Sequence, residues 1–174
     1  RRTTNPRIEL EGRQGRGRNR LKESDNAFVE LSFSKHATPQ TYDDAVDKMW
    51  TTSEYWRQWI NIGSFPDHPW RSYLQRSALT LKGLTFAPSG AVVAAATTSL
   101  PESPGGERNW DYRYTWVRDT SGTLWALASL GFDWEANDFF RFVADVAEAE
   151  GGDLQLMYGV DGERVLAEST LDHL

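Results

Sequence analysis

The chain has 174 residues, a formal net charge of −6 and 39% hydrophobic residues, values typical of a folded protein rather than a disordered one. No apolar run approaches the roughly 18 residues of a membrane-spanning helix, so we expect no membrane partner. The chain has no cysteine and three histidines, none spaced as a ligand pair, so we expect no metal site and no cofactor. The absence of cysteine is compatible with a cytoplasmic protein.

The first 22 residues are basic, with eight Arg and Lys residues against two acidic ones, so the rest of the chain carries a net −12. Such an arm can bind a polyanion. However, no aromatic side chains lie between the arginines to stack on bases, so we expect no nucleic-acid partner. The alternating residues 8–11 and 26–33 instead predict two or three short strands, which need further strands to complete a sheet.

Helical spacing of apolar residues predicts a helix over 41–62, with Thr41 as its N-cap and Gly63 at its end. Its tryptophan stripe (Trp50, Trp56 and Trp59) predicts a buried face. Pro69 predicts the first position of a second helix that runs to about residue 86.

The second half of the chain predicts a buried extended segment and two more helices. Residues 90–99 are small, apolar and β-branched, which favours extended chain. Helices are expected over 120–130 and 133–150, joined as a tight antiparallel hairpin. The alternation of residues 154, 156 and 158, the Asp161-Gly162 turn and Val165 predict a surface β-hairpin.

Residues 108–119 form the densest candidate site, with three Arg, two Asp, two Trp and two Tyr in twelve residues. Aromatic faces stack on the apolar face of a sugar ring, while Arg and Asp pair with its hydroxyls. Asp119 is expected directly before a helix, where its carboxylate can cap. Two interpretations stay open from composition alone: a sugar site, or a helix cap with a surface ion pair and aromatic residues in the core.

The run of residues 111–119 (DYRYTWVRD) resembles the first sugar-binding region of family 15 of the glycoside hydrolases, which includes glucoamylases, glucodextranases and bacterial trehalases. The resemblance extends over essentially the whole chain from about Thr41. The segments that resemble the actinobacterial trehalase-like branch are residues 65–70 (FPDHPW), 76–84, 94–102 and 154–172. The arginine at position 113 resembles the pattern of the trehalase-like branch, since an aromatic residue usually stands at this position in fungal glucoamylases.

The resemblance implies a mainly α fold with a β N-terminal part. Residues 1–35 are expected to be the last strands of a β-sandwich domain, and 36–68 a linker helix and turn. Residues 69–174 are expected to supply the first helices of an incomplete six-hairpin α/α toroid. By the family pattern, Arg118 and Asp119 bind the hydroxyls of the innermost glucose, and Tyr112 and Trp116 form its aromatic wall.

The activity that the resemblance implies is hydrolysis of α-glucosides, with trehalose as the first choice of substrate and glucoamylase substrates as the second. The implied mechanism inverts the configuration at the anomeric carbon and uses two glutamates as general acid and general base. Both glutamates are expected after Leu174, so no residue of this chain is assigned to catalysis. The carboxylates of Asp161, Glu163 and Glu168 border the predicted hairpin. We do not expect them to form a catalytic pair, because an exposed turn is a poor place to shift a pKa. The expected partner is a small carbohydrate (trehalose or the end of an α-glucan), and the oligomeric state is left open.

Two alternatives stay open beside hydrolysis. The chain can be a non-catalytic carbohydrate-binding relic, which retains the aromatic and charged cluster. It can also be a helical interaction module that uses its basic N-terminal arm.

Overall fold

The computed structural model of the chain describes residues 8–12, 14–30, 39–106, 109–149 and 151–168. Four helices and four short strands lie within these ranges, so the described chain is mainly helical with small β elements, as the sequence predicts. The chain divides into two units, Arg1–Gln58 and Trp59–Leu174. In the described ranges, each helix is too short or too polar to cross a membrane.

The first unit contains a β-hairpin in which β1 (Ile8–Glu11) pairs antiparallel with β2 (Gln14–Gly17). The strand predicted over residues 26–33 is not found in its described part, since residues 27–30 lie in no strand. An alternating sequence becomes a strand only where a neighbouring strand satisfies its backbone groups. Residues 31–33, and residues 1–7 of the basic arm, lie outside the described residues.

Helix α1 (Tyr42–Ile62) begins at the predicted residue because Thr41 and Asp44 cap it reciprocally. The Asp44 N–H donates to Thr41 Oγ1 at 3.1 Å, and the Thr41 N–H donates to Asp44 Oδ2 at 3.0 Å. The predicted buried face is only partly present. Trp59 is buried by stacking on Phe132, whereas the Trp50 side chain is 55% exposed.

Helix α2 (Arg71–Gly83) starts two residues after Pro69 and ends earlier than the predicted residue 86. The earlier end has a local cause. Thr85 forms an isolated β-bridge with Val92, and the Phe86 N–H donates to the Ala91 carbonyl at 2.7 Å, so the chain has already left the helix.

Helix α3 (Val117–Ser129) begins three residues before the predicted Thr120, because Trp116 is extended and the helix follows it directly. Asp119 therefore lies in the first turn of α3 and not at a capping position before it. Helix α4 (Asp133–Ala149) begins at the predicted residue. The two helices contact each other across the short connection that contains Gly131, whose φ of +84° glycine adopts at little cost.

The predicted surface β-hairpin is wrong. β4 (Met157–Tyr158) pairs antiparallel with β3 (Thr115–Trp116), so that Tyr158 lies opposite Thr115, and residues 159–168 lie in no strand. Burial explains why Tyr158 pairs with Thr115 instead of forming the predicted hairpin, since Tyr158 is fully buried in the core whereas Val165 is 94% exposed. The turn itself exists, because the Gly162 N–H donates to the Gly159 carbonyl at 3.1 Å.

The core of the second unit lies between the extended segment, α4 and β4. Its buried members are Ala91, Val92, Phe139, Phe142, Val146 and Tyr158. The predicted burial of residues 90–99 is found at Gly90, Ala91 and Val92, although Gly90 itself has a φ of +80° and is not extended. Thr120 Oγ1 donates to the Val92 carbonyl at 3.1 Å, which attaches α3 to this segment.

Candidate functional site

The aromatic and charged segment, residues 109–119, is held between two extended pieces of chain. On one side, the Ala94 and Ala95 N–H groups donate to the Tyr114 and Tyr112 carbonyls at 3.1 and 2.8 Å. On the other side, Trp116 pairs with Met157 in the short β3–β4 ladder. The backbone of the segment is therefore anchored from both sides, which directs its side chains. Arg108, the first residue of the predicted cluster, lies outside the described residues.

Tyr112 and Trp116, the two predicted aromatic wall residues, are in ring contact. Their ring centroids are 5.6 Å apart with an interplanar angle of 55°. Trp116 is buried, and its indole Nε1–H donates to the Asp111 carbonyl at 2.9 Å. Trp110 packs edge-on against Trp116 at 6.1 Å, so three aromatic side chains meet at this point.

Arg118 and Asp119 form an ion pair at the start of α3. The Arg118 Nε and Nη2 atoms each lie 3.3 Å from Asp119 Oδ2. The Arg118 side chain is 79% exposed and that of Asp119 is 33% exposed. Both charged groups are therefore accessible to a ligand. In addition, the positive end of the helix dipole stabilises a carboxylate in the first turn, where Asp119 lies.

A cavity of about 350 Å³ lies beside Trp116. Its size is at the small end of the roughly 300–1,000 Å³ range of small-molecule sites. Of the four predicted site residues, Trp116 lines this cavity, whereas Tyr112, Arg118 and Asp119 lie outside its lining. The lining residues are Asn109, Trp110, Asp111, Arg113, Tyr114, Trp116, Met157, Leu166, Ala167 and Glu168.

A paired carboxylate and guanidinium form one wall of the cavity. Arg113 Nε lies 3.0 Å from Asp111 Oδ1, and Arg113 Nη2 lies 2.7 Å from Asp111 Oδ2, which is the bidentate arrangement. The Arg113 hydrogen bonds lower the pKa of Asp111 below its ordinary value of 3.8 and outweigh the opposing effect of burial. Asp111 therefore stays ionised at neutral pH and holds Arg113 in a fixed direction.

Several cavity residues were not among the predicted site residues. The Asp111–Arg113 pair had a signal in the sequence, since an aspartate side chain commonly accepts a hydrogen bond from the backbone N–H two residues on, as Asp111 Oδ1 does from the Arg113 N–H at 2.9 Å. Met157 and Glu168 had none, because only the β3–β4 pairing returns their segment to residues 109–116. Glu168 was predicted to border an exposed turn, yet it lines the cavity.

His68 lies just before α2, where its Nδ1 accepts a hydrogen bond from the Trp70 N–H at 3.2 Å. Among the residues that the structure describes, no group of three or more His, Asp or Glu side chains is placed to hold a metal ion.

The chain was compared with known proteins. The model of the family "Glycosyl hydrolases family 15" matches residues 68–173. A trehalase of Mycolicibacterium smegmatis is 66% identical over 99% of the chain, and a trehalase of Mycobacterium tuberculosis is equally similar. A trehalase of Thermoplasma volcanium is 42% identical over 70% of the chain and 19% of its own length.

The chain spans 26% of the length of each mycobacterial relative. No solved structure matches it significantly. The family match covers more than half of the residues and contains the aromatic and charged segment. The chain therefore belongs to family 15 of the glycosyl hydrolases.

Proposed function

We propose that this chain is the sugar-binding part of a longer, inverting α-glucoside hydrolase whose substrate is trehalose. The observation that carries the proposal is the pairing of Tyr112 with Trp116 next to the accessible Arg118–Asp119 ion pair. The trehalases that match at 66% identity support the choice of substrate. Glucoamylase-type substrates, the ends of α-glucans, are the second choice.

In the proposed architecture, residues 1–35 end a β-sandwich domain and 36–68 form a linker helix and turn. Residues 69–174 form the first part of a six-hairpin α/α toroid. The succession of α2, α3 and α4 after the linker supports this assignment, since paired helices are the unit of such a toroid. We further propose a cytoplasmic location, because the chain has no cysteine to favour an oxidising compartment.

In this proposal, the two aromatic and the two charged site residues bind different parts of one glucose ring. The Tyr112 and Trp116 rings offer apolar surface to the face of the sugar, since such a face excludes water on contact. Arg118 donates to hydroxyl oxygens and Asp119 accepts from hydroxyl hydrogens, and both bonds are strengthened by charge. The existing ion pair keeps the two groups close together before a sugar arrives.

The reaction adds water across the glycosidic bond. A water oxygen bonds to the anomeric carbon from the face opposite the leaving sugar, and the bond from that carbon to the bridging oxygen breaks. One glutamate gives a proton to the bridging oxygen and a second takes one from the water. The two carboxyl groups of such a pair stand roughly 6.5–9.5 Å apart, which leaves room for the water between the basic glutamate and the sugar. We place both glutamates outside this chain.

Replacement of Asp119 tests the proposal in the full-length protein. Asp119→Ala should lower kcat/KM for trehalose by roughly 100-fold or more, because a charged hydrogen bond to the reacting sugar is lost. The melting temperature should change little, since a first-turn carboxylate contributes only about 0.3–1 kcal/mol to the helix. Glucose release and thermal unfolding are the measurements.

The matched control is Asp133→Ala, which removes a first-turn carboxylate from α4 instead of α3. It should hydrolyse trehalose at the wild-type rate. Wild-type turnover in Asp119→Ala contradicts the site. Trehalose binding without glucose release identifies a carbohydrate-binding relic. Salt-sensitive binding to heparin without any sugar binding identifies an interaction module.

A further inference from the structure

The cavity beside Trp116 has two kinds of wall. Trp116, Met157 and Leu166 supply apolar surface, whereas Arg113, its partner Asp111 and Glu168 supply charge. A pyranose ring has the same two kinds of surface, namely an apolar face and a rim of hydroxyls that both donate and accept hydrogen bonds. A cation and an anion on one cavity satisfy such a rim better than two like charges do.

Arg113 is oriented by its partner and still has hydrogens to donate. Asp111 accepts from Nε and Nη2 of Arg113. A guanidinium carries five N–H donors in a rigid fork, so the two Nη1 hydrogens point away from the Asp111 carboxylate. The Arg113 side chain is 57% exposed, which leaves it accessible to a ligand in the cavity.

The cavity is separate from the Arg118–Asp119 pair, because neither of those residues lines it, although Trp116 belongs to both places. We propose that this cavity binds the second glucose ring of the disaccharide, with Arg113 and Glu168 as the residues that hydrogen-bond its hydroxyls. Asp111 is the positioning residue that directs Arg113. The inference rests on the proposed function and adds the residues that select a disaccharide over a single sugar ring.

The test compares two substrates of the full-length enzyme. Trehalose has two glucose rings, whereas α-glucosyl fluoride has one ring and a fluoride leaving group. Arg113→Gln should lower kcat/KM for trehalose by about 10- to 100-fold, the effect of losing a charged hydrogen bond. It should change kcat/KM for α-glucosyl fluoride by less than about twofold, because that substrate leaves the second subsite empty.

Two further variants separate recognition from structural support. Glu168→Gln should show the same substrate contrast as Arg113→Gln. Asp111→Asn should raise KM for trehalose while kcat for α-glucosyl fluoride stays unchanged, which a merely destabilised protein does not produce. The control Arg141→Gln removes an arginine that pairs with Asp138 at 3.5 Å on α4, outside the cavity, and should alter neither substrate.

The outcomes distinguish this inference from the proposed function. Equal losses on both substrates, or unchanged trehalose turnover in Arg113→Gln and Glu168→Gln, overturn the second-ring assignment while trehalose hydrolysis by the wild type still stands. A wild-type protein that hydrolyses neither substrate overturns the proposed function itself. A Kd for trehalose that Arg113→Gln leaves unchanged, measured by tryptophan fluorescence, also contradicts the assignment.

Discussion

Glu135 is a buried carboxylate with two hydrogen-bond partners. Its Oε1 accepts from Trp59 Nε1 at 2.7 Å and from Lys82 Nζ at 2.8 Å, and the residue is 5% exposed. Burial by itself raises the pKa of Glu135, but the Lys82 ammonium and the Trp59 indole outweigh that effect and leave it lowered below the ordinary 4.5. The three residues join the end of α1 to α2 and α4.

Because the pKa of Glu135 is lowered by folding, its contribution to stability is complete above about pH 4.5 and is lost as the pH falls through the folded-state value. Glu135→Gln should therefore lower the free energy of unfolding at pH 7 by about 2 kcal/mol. The loss is smaller than for a fully buried ion pair, because the Lys82 side chain is partly exposed. The variant should also show a weaker loss of stability than the wild type as the pH falls below about 4.5, the ordinary pKa of the carboxyl.

Urea unfolding across that pH range measures both effects. Asp138→Asn is the control, since Asp138 is half-exposed and its pair with Arg141 lies on the surface. It should change the free energy of unfolding by less than about 0.5 kcal/mol. Equal pH dependence of Glu135→Gln and the wild type contradicts the assigned role of Glu135.

At the scale of elements, the junction after α1 depends on the close approach of two aromatic rings. Trp59 stacks on Phe132 with centroids 4.1 Å apart, and Phe65 packs at an angle on the same ring. Gly63 lies against this cluster. A Cβ at Gly63 meets the Phe132 ring and lies 2.7 Å from Cε2 of Phe65.

Gly63→Ala should therefore destabilise the protein by about 1–3 kcal/mol, the cost of forcing extra volume into a packed core. Gly122→Ala is the matched variant, because a Cβ there meets open space within α3. It should stabilise the protein by about 0.5–1 kcal/mol, since alanine favours the helix over glycine. Thermal unfolding of both variants checks the prediction, and equal shifts in Tm contradict it.

At the scale of the whole molecule, α3 and α4 carry large apolar side chains that face solvent. Trp125 and Trp134 are each 75% exposed, and Phe140 is 72% exposed. Such apolar surface favours association, because burial removes it from water. The net charge of −6 opposes association only weakly at physiological ionic strength.

The 174-residue chain by itself should therefore self-associate as its concentration rises. The double variant Trp134→Gln with Phe140→Gln should lower the fraction of associated chain in sedimentation velocity. Val165→Gln is the control, since it removes one exposed apolar side chain outside the helices. A chain that stays monomeric at all concentrations contradicts the prediction.

Much of this protein was predictable from its sequence because the deciding interactions are local. The reciprocal cap of Thr41 and Asp44, the start of α4 at Asp133 and the family motif at residues 111–119 depend on residues only a few positions apart. The tertiary structure alone decided the pairing of Tyr158 with Thr115 and the cavity that joins Arg113 to Glu168. These contacts join residues far apart in the chain, and burial of a whole side chain, which no local pattern specifies, selects one partner over another.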